Sequence, residues 1–230
     1  LVTGVQTCAL PICPPDIIHI HIPLKLSIFG LWIKYRYKIP VIVSEHWGIY
    51  DGNVSQNIYQ QSFIKKYFLR SFLRSADKII SVSHYLGKGM KKFAKLHSYQ
   101  VINNVVDTSL FNYKYHPNDY VKTVLHISDM DVVKNPMGIL QVIQKVLQKR
   151  IDIRFVIIGV KTDDYEKKVK ELGIDHQYVR FIKEIPYSEV ANYLQESNAL
   201  FMFSFAETFS CVTAEALCCG LPVAAVNASA

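Results

Sequence analysis

The stretch ALFMFSFAETFSCVTAEALCCGLPVAAV, residues Ala199–Val226, decides the fold. Ala199 to Phe205 is a short, almost wholly apolar run of strand length. Thr208 to Cys219 carries helix-forming residues and closes on Gly220-Leu221-Pro222, the glycine-then-proline exit expected after a helix. Val223 to Val226 then begins another apolar run that enters a loop. Strands that are apolar on both faces belong in a buried parallel sheet, and the helix between them serves as the crossover.

The same alternation extends upstream. Strands are expected at Thr123–Ile127, Phe155–Gly159 and Val179–Ile182, with helices at Pro136–Lys149, Asp164–Leu172 and Ser188–Gln195 between them. A polar stretch, Tyr113 to Asp119, reads as a linker. Before it the pattern runs through strands at Asp16–His21, Val41–Ser44, Ala76–Ser83 and Val101–Asp107, with helical spacing over Ser27–Tyr37 and Tyr59–Arg74. The expected organisation is therefore one domain over residues 14–115, and a second over 116–230. Both are α/β and doubly wound, and they face a cleft. Ligands of such sheets sit beyond the carboxyl ends of the strands.

The two ends read as cut. Val2 to Ile12 matches the in-frame translation of a short-read sequencing adapter, so residues 1–13 are set apart and the native sequence is expected from Pro14. Ala230 follows a strand entering a loop, which makes the chain a fragment at both ends. Setting Cys8 and Cys13 aside leaves Cys211, Cys218 and Cys219, which lack metal-ligand spacing with histidine and read as reduced thiols. No uninterrupted apolar run is long enough to span a membrane. From Pro14 to Tyr115 there are 14 Lys and Arg against 5 Asp and Glu, and from His116 onward 12 against 14, so the net +7 belongs to the first half. Lys66, Arg70 and Arg74 run beside Phe63, Ile64, Tyr67, Phe68 and Phe72, and Lys88, Lys91, Lys92 and Lys95 form a second stripe. Such helices suit an anionic membrane surface or an ordinary solvated face. Nucleic acid is not expected, since no binding signature accompanies the charge.

Chemistry concentrates in Phe205 to Val223. Glu207 precedes the predicted helix, whose first turn is expected to carry Phe209 and Ser210, and unpaired amides at a helix start bind phosphate oxygens. Glu215 sits among apolar residues, where a carboxylate needs hydrogen-bond donors. Sugar or ribose hydroxyls would serve, as would a purely structural setting.

The segment resembles the E-x7-E motif of glycosyltransferase family four. Further similarities follow in order: Asp16–His21 to a D-h-h-H-h-H strand, Ile39–Trp47 to P-h-h-x-S-E-H-W, Ala76–Ser83 to A-D-x-h-h-x-V-S, and Val101–Asp107 to an interdomain V-I-x-N-x-V-D. His126-Ile127-Ser128 through Lys134-Asn135 resembles a donor-site loop. The resemblance implies the GT-B architecture of two Rossmann-like domains. It also implies a retaining enzyme moving a hexosyl or N-acetylhexosaminyl group from a nucleotide-diphosphate sugar to a glycan or lipid-linked acceptor, in cell-surface polysaccharide or lipopolysaccharide assembly. Lys134 and the amides at Phe209 and Ser210 would then hold the diphosphate, Glu207 the sugar hydroxyls and Glu215 the ribose. His46 would face the anomeric carbon, with no cofactor and no metal needed. The expected location is cytoplasmic, peripheral on the inner face of the membrane.

Two departures stand out. Asp129 and Ser128 occupy the positions, five and six residues before Lys134, where the family usually has arginine. Ser210 stands where many members have glycine. A catalytically silent binding or scaffold protein on the same fold is the alternative that the missing arginine favours. An epimerase on this scaffold lacks supporting residues.

Overall fold

The computed structural model describes residues 15–52, 54, 57–114, 120–161 and 164–227. The segment read as adapter therefore lies outside the described residues. The chain divides into two compact units, one of residues 1–52 and 56–103, the other of residues 53–55 and 104–230. The second unit starts upstream of the polar stretch read as a linker: Phe111, fully buried, packs in that unit's core with Leu125, Leu200 and Ala216, while residues 115–119 of that stretch lie outside the described residues.

In the first unit, β1 (Ile18–His21), α1 (Ser27–Tyr37), β2 (Val41–Glu45), α2 (Phe63–Ser75), β3 (Lys78–Ser81), α3 (His84–Ala94) and β4 (Gln100–Val101) follow one another. The strands form one parallel sheet in the order β1-β2-β3-β4, with Ile18 opposite Val41 and Ile42 opposite Lys78. Val41 and Val43 are fully buried, as a central parallel strand requires. Ser62 and Ser83 accept hydrogen bonds from Lys65 N and Leu86 N, capping α2 and α3. The expected strand at Val101–Asp107 shrinks to β4. Beyond it Asn103 Nδ2 donates to Val82 O at 2.8 Å, a side-chain bond where a ladder would continue.

The second unit contains β5 (Lys122–Ile127), α4 (Pro136–Leu147), β6 (Ile153–Ile158), α5 (Asp164–Glu171), β7 (Val179–Ile182), α6 (Tyr187–Glu196), β8 (Ala199–Met202), α7 (Cys211–Cys218) and β9 (Val223–Ala225). Its sheet is parallel throughout, in the order β7-β6-β5-β8-β9. The chain winds outward from β5 in one direction and from β8 in the other, so the switch point lies between those two strands. Loops leaving β5 and β8 are where a ligand is expected.

Within Ala199–Val226, two boundaries differ from the sequence reading. β8 ends at Met202 rather than Phe205, since Phe205 N leaves the sheet to donate to Val133 O at 2.8 Å. The helix begins at Cys211, not Thr208, because Ser210 takes φ 59° and ψ 74°. That left-handed conformation cannot continue a right-handed helix, so Phe209 and Ser210 precede α7 rather than form its first turn. Its far end closes as read: Gly220 N donates to Leu217 O and Leu221 N to Ala216 O, with Gly220 at φ 74°.

Candidate active site

The loop after β5 is built by short-range bonds. Asp131 accepts from Lys134 N to cap a 3₁₀ turn over Val132–Lys134, and Asn135, itself left-handed, caps α4 through Gly138 N. Deeper in, His126 is 2 % exposed. Its Nδ1 lies 2.8 Å from Phe201 O and must carry the proton, since a carbonyl only accepts. Its Nε2 then accepts from Ser128 Oγ at 2.7 Å, and Ser128 Oγ accepts from Met130 N. Burial pushes the His126 pKa down to about 4, so the ring is neutral and acts as a strut for this loop.

The loop after β8 meets it. Lys134 Nζ donates to Glu207 Oε1 at 2.7 Å, with both side chains mostly buried. They line an open cavity of about 380 Å³ together with Ser128, Asp129, Gly159, Lys161, Glu184, Ser210, Cys211 and Val212. Ser210 does not cap α7. Its Oγ lies 2.7 Å from Thr213 Oγ1, which leaves the first amides of the helix facing outward without a side-chain acceptor from the cap. Three carboxylates and two ammonium groups thus surround a helix start at the switch point of the sheet.

The structure therefore brings Lys134, Glu207 and Ser210 to one cavity. Phe209 and Glu215 lie outside its lining. Glu215, 5 % exposed, accepts from Tyr187 Oη at 2.8 Å. Burial raises its pKa and the Tyr187 hydroxyl partly offsets that rise. Tyr187, at the start of α6, is a donor that the sequence reading missed. Lys161 and Glu184 were also missed as cavity residues.

His46 belongs to the first unit, just past β2. Its Nε2 lies 2.9 Å from His21 Nδ1, with the rings stacked at 5.2 Å, and His19 Nε2 is 2.8 Å from Ser44 Oγ. His19 is held below the usual imidazole range by burial and by His21. Glu45, fully buried, anchors the turn that presents His46. It accepts from His46 N and Trp47 N at 3.0 Å and from Tyr50 Oη at 2.8 Å. Among the described residues no group of three or more His, Cys, Asp or Glu is placed to hold a metal ion. None of the described helices is long and apolar enough to cross a membrane.

The profile of the family described as "Glycosyl transferases group 1" matches residues 112–230, over half of the chain. The chain belongs to the group 1 glycosyl transferases. The profile "Glycosyltransferase Family 4" matches residues 9–110. Among curated relatives of this group 1 transferase is the alpha-monoglucosyldiacylglycerol synthase of Streptococcus pneumoniae, 25 % identical over 227 residues. That alignment covers 91 % of this chain and 51 % of the synthase, so the chain spans about half the length of the curated relatives it matches. Of solved structures, Anabaena HepE in complex with UDP and glucose superposes with a TM-score of 0.74 at 19 % identity, covering 94 % of this chain and 60 % of that one. Sucrose-phosphate synthase from Thermosynechococcus elongatus gives 0.74 at 18 %, covering 93 % and 56 %. The two parallel α/β units of this transferase are those of the GT-B architecture.

Proposed function

We propose that this group 1 transferase moves a hexosyl or N-acetylhexosaminyl group, with retention, from a nucleotide-diphosphate sugar to a glycan or lipid-linked acceptor. The Lys134–Glu207 pair at the switch point, beside the open start of α7, carries the reading. Cleaving the donor's glycosidic bond leaves negative charge on the diphosphate. Lys134 and the amides at the start of α7 supply fixed positive potential for it, and electrostatic stabilisation of this kind is often the largest catalytic term. Glu207, released from Lys134, accepts hydrogen bonds from sugar hydroxyls, and Glu215 from the ribose. His46 keeps the catalytic role that the family resemblance implies for it in the full-length enzyme. A relative named as an alpha-monoglucosyldiacylglycerol synthase, and a neighbour crystallised with UDP and glucose, support this substrate class. No cofactor or metal is required in this scheme.

The test is calorimetric titration with nucleoside diphosphates in the absence of divalent metal. A charge-assisted contact contributes about 1.5–3 kcal/mol, so Lys134→Ala should weaken binding roughly ten- to a hundredfold. Equal affinity in wild type and variant removes Lys134 from the site. Binding without any transfer by the full-length enzyme favours the silent scaffold instead.

A second reading, docking of the first unit on the anionic inner face of the cytoplasmic membrane, is favoured by exposed Phe63, Ile64 and Tyr67 on α2 and by exposed Lys88, Lys91, Lys92 and Lys95 along and just after α3. Arg70 and Arg74 are tied to α3. Their Nε groups donate to Phe93 O and Ala94 O, and Arg70 also stacks over the Phe93 ring. They satisfy the carbonyl end of α3. Reversing the four lysines to glutamate should abolish salt-sensitive sedimentation with anionic vesicles. Sedimentation unaffected by that reversal, or equal on neutral vesicles, excludes lipid docking through α3.

A further inference from the structure

The donor cavity contains a second cation to which the scheme above gives no task. Lys161 lies just beyond β6, its Nζ 3.1 Å from Asp129 Oδ2. The backbone sets this approach. Ile127 pairs with Ile158 in register, Ser128 N donates to Ile158 O at 3.0 Å, and the next residue is Gly159 at φ 97°. A Cβ at Gly159 would lie 2.5 Å from Ser128 O, so the loops leaving β5 and β6 touch with no side chain between them. Lys161 is thereby delivered to the loop that ends in Lys134, and both line the same cavity.

The charges around that cavity do not balance for an anionic ligand. Asp129, Glu184 and Glu207 face Lys134 and Lys161, one negative charge in excess. A diphosphate adds more, and a single lysine does not offset two phosphates. We infer that Lys161 is the second diphosphate-binding cation of this site, exchanging Asp129 for a phosphate oxygen as the nucleotide-sugar enters. This rests on the donor-site reading of the cavity. Asp129 fills one of the positions where the family resemblance places arginine, and the loop after β6 supplies the charge that the loop after β5 lacks. The Lys161 side chain is 66 % exposed, so its pair with Asp129 is screened by water and exchanges readily.

The experiment is titration of wild type, Lys161→Ala, Lys161→Arg and Lys167→Ala with UDP, GDP and ADP and with the matching monophosphates, at low salt. Lys167, exposed on α5, controls for net charge. Lys161→Ala should weaken diphosphate binding about three- to tenfold at low ionic strength and monophosphate binding less than about twofold, while Lys161→Arg and Lys167→Ala stay near wild type. Wild-type diphosphate affinity in Lys161→Ala, an equal loss for monophosphate, or the same loss in Lys167→Ala overturns the assignment while leaving the donor site standing. Failure of the wild type to bind any of the three diphosphates overturns both.

Discussion

Glu45→Gln should remove a pH dependence of stability that is confined to the first unit. Glu45 is fully buried, and burial raises its pKa from the ordinary 4.5 to about 7, against three hydrogen bonds that favour the charged form. The native state therefore holds the proton more tightly than the unfolded chain does. The stability this contributes is complete below about pH 4.5 and is lost as pH rises through about 7. At about 1.4 kcal/mol per pKa unit, the loss across that window is roughly 3 kcal/mol. A glutamine keeps an oxygen for His46 N and Trp47 N, and its amide can donate to the Tyr50 hydroxyl, so the turn survives without a titrating group. Trp32 and Trp47, the two tryptophans of the chain, both lie in the first unit. Urea unfolding followed by tryptophan fluorescence thus reads that unit alone. Wild type should lose stability relative to Glu45→Gln between pH 5 and pH 8, by about 2–3 kcal/mol. Two parallel stability curves would refute the reasoning. His126 acts with opposite sign in the second unit. Its depressed pKa gives stability that is present above about 6.5 and lost as pH falls toward about 4, which is why a whole-chain probe would blur the two.

Ser210→Gly should stabilise the second unit by about 1 kcal/mol, because a side chain at left-handed φ costs about 1–2 kcal/mol and the lost bond to Thr213 offsets part of the gain. Urea unfolding followed by far-ultraviolet circular dichroism tests this, and a destabilised variant would show that the Thr213 contact outweighs the backbone. Gly159→Ala should cost about 2–4 kcal/mol, from positive φ and from the Cβ clash with Ser128 O together. Hydrogen exchange at the ends of β5 and β6 locates that effect, and unchanged protection there would mean that the loops part easily.

The sheets were legible in the sequence because burial on both faces leaves a local signature: Val41–Val43 and Phe155–Ile158 are unbroken apolar runs. Element ends were less so. Helix α7 starts late because of one backbone angle at Ser210, and β8 stops early because Phe205 N has a partner 72 residues back, at Val133. Neither cause has a periodicity to read. Likewise Lys66, Arg70 and Arg74 are spaced as a surface stripe, yet their backbone acceptors at Tyr59, Phe93 and Ala94 are set by tertiary packing.

The candidate site shows the same limit in its charges. Lys134 and Glu207 are 73 residues apart, and spacing alone says nothing of their meeting; the motif resemblance named both, and the parallel order β5-β8 puts their loops side by side. Tyr187 escaped notice because its partner Glu215 is 28 residues away on a different helix. Lys161 escaped for a subtler reason. A lysine after a strand looks like any solvated surface charge, and what distinguishes it is the glycine before it, whose missing Cβ lets two loops close on each other. Opposite charges that pair across such a contact neutralise one another in the resting protein, so neither net charge nor composition reveals them. Their value to a ligand lies in being only partly buried. Lys134 and Glu207 stay accessible enough to exchange partners, whereas a fully buried pair would resist separation by the several kcal/mol needed to strand a charge in the interior. On the proposed reading, a diphosphate that takes Lys134 would leave Glu207 in want of donors, and the hydroxyls of the attached sugar would satisfy it.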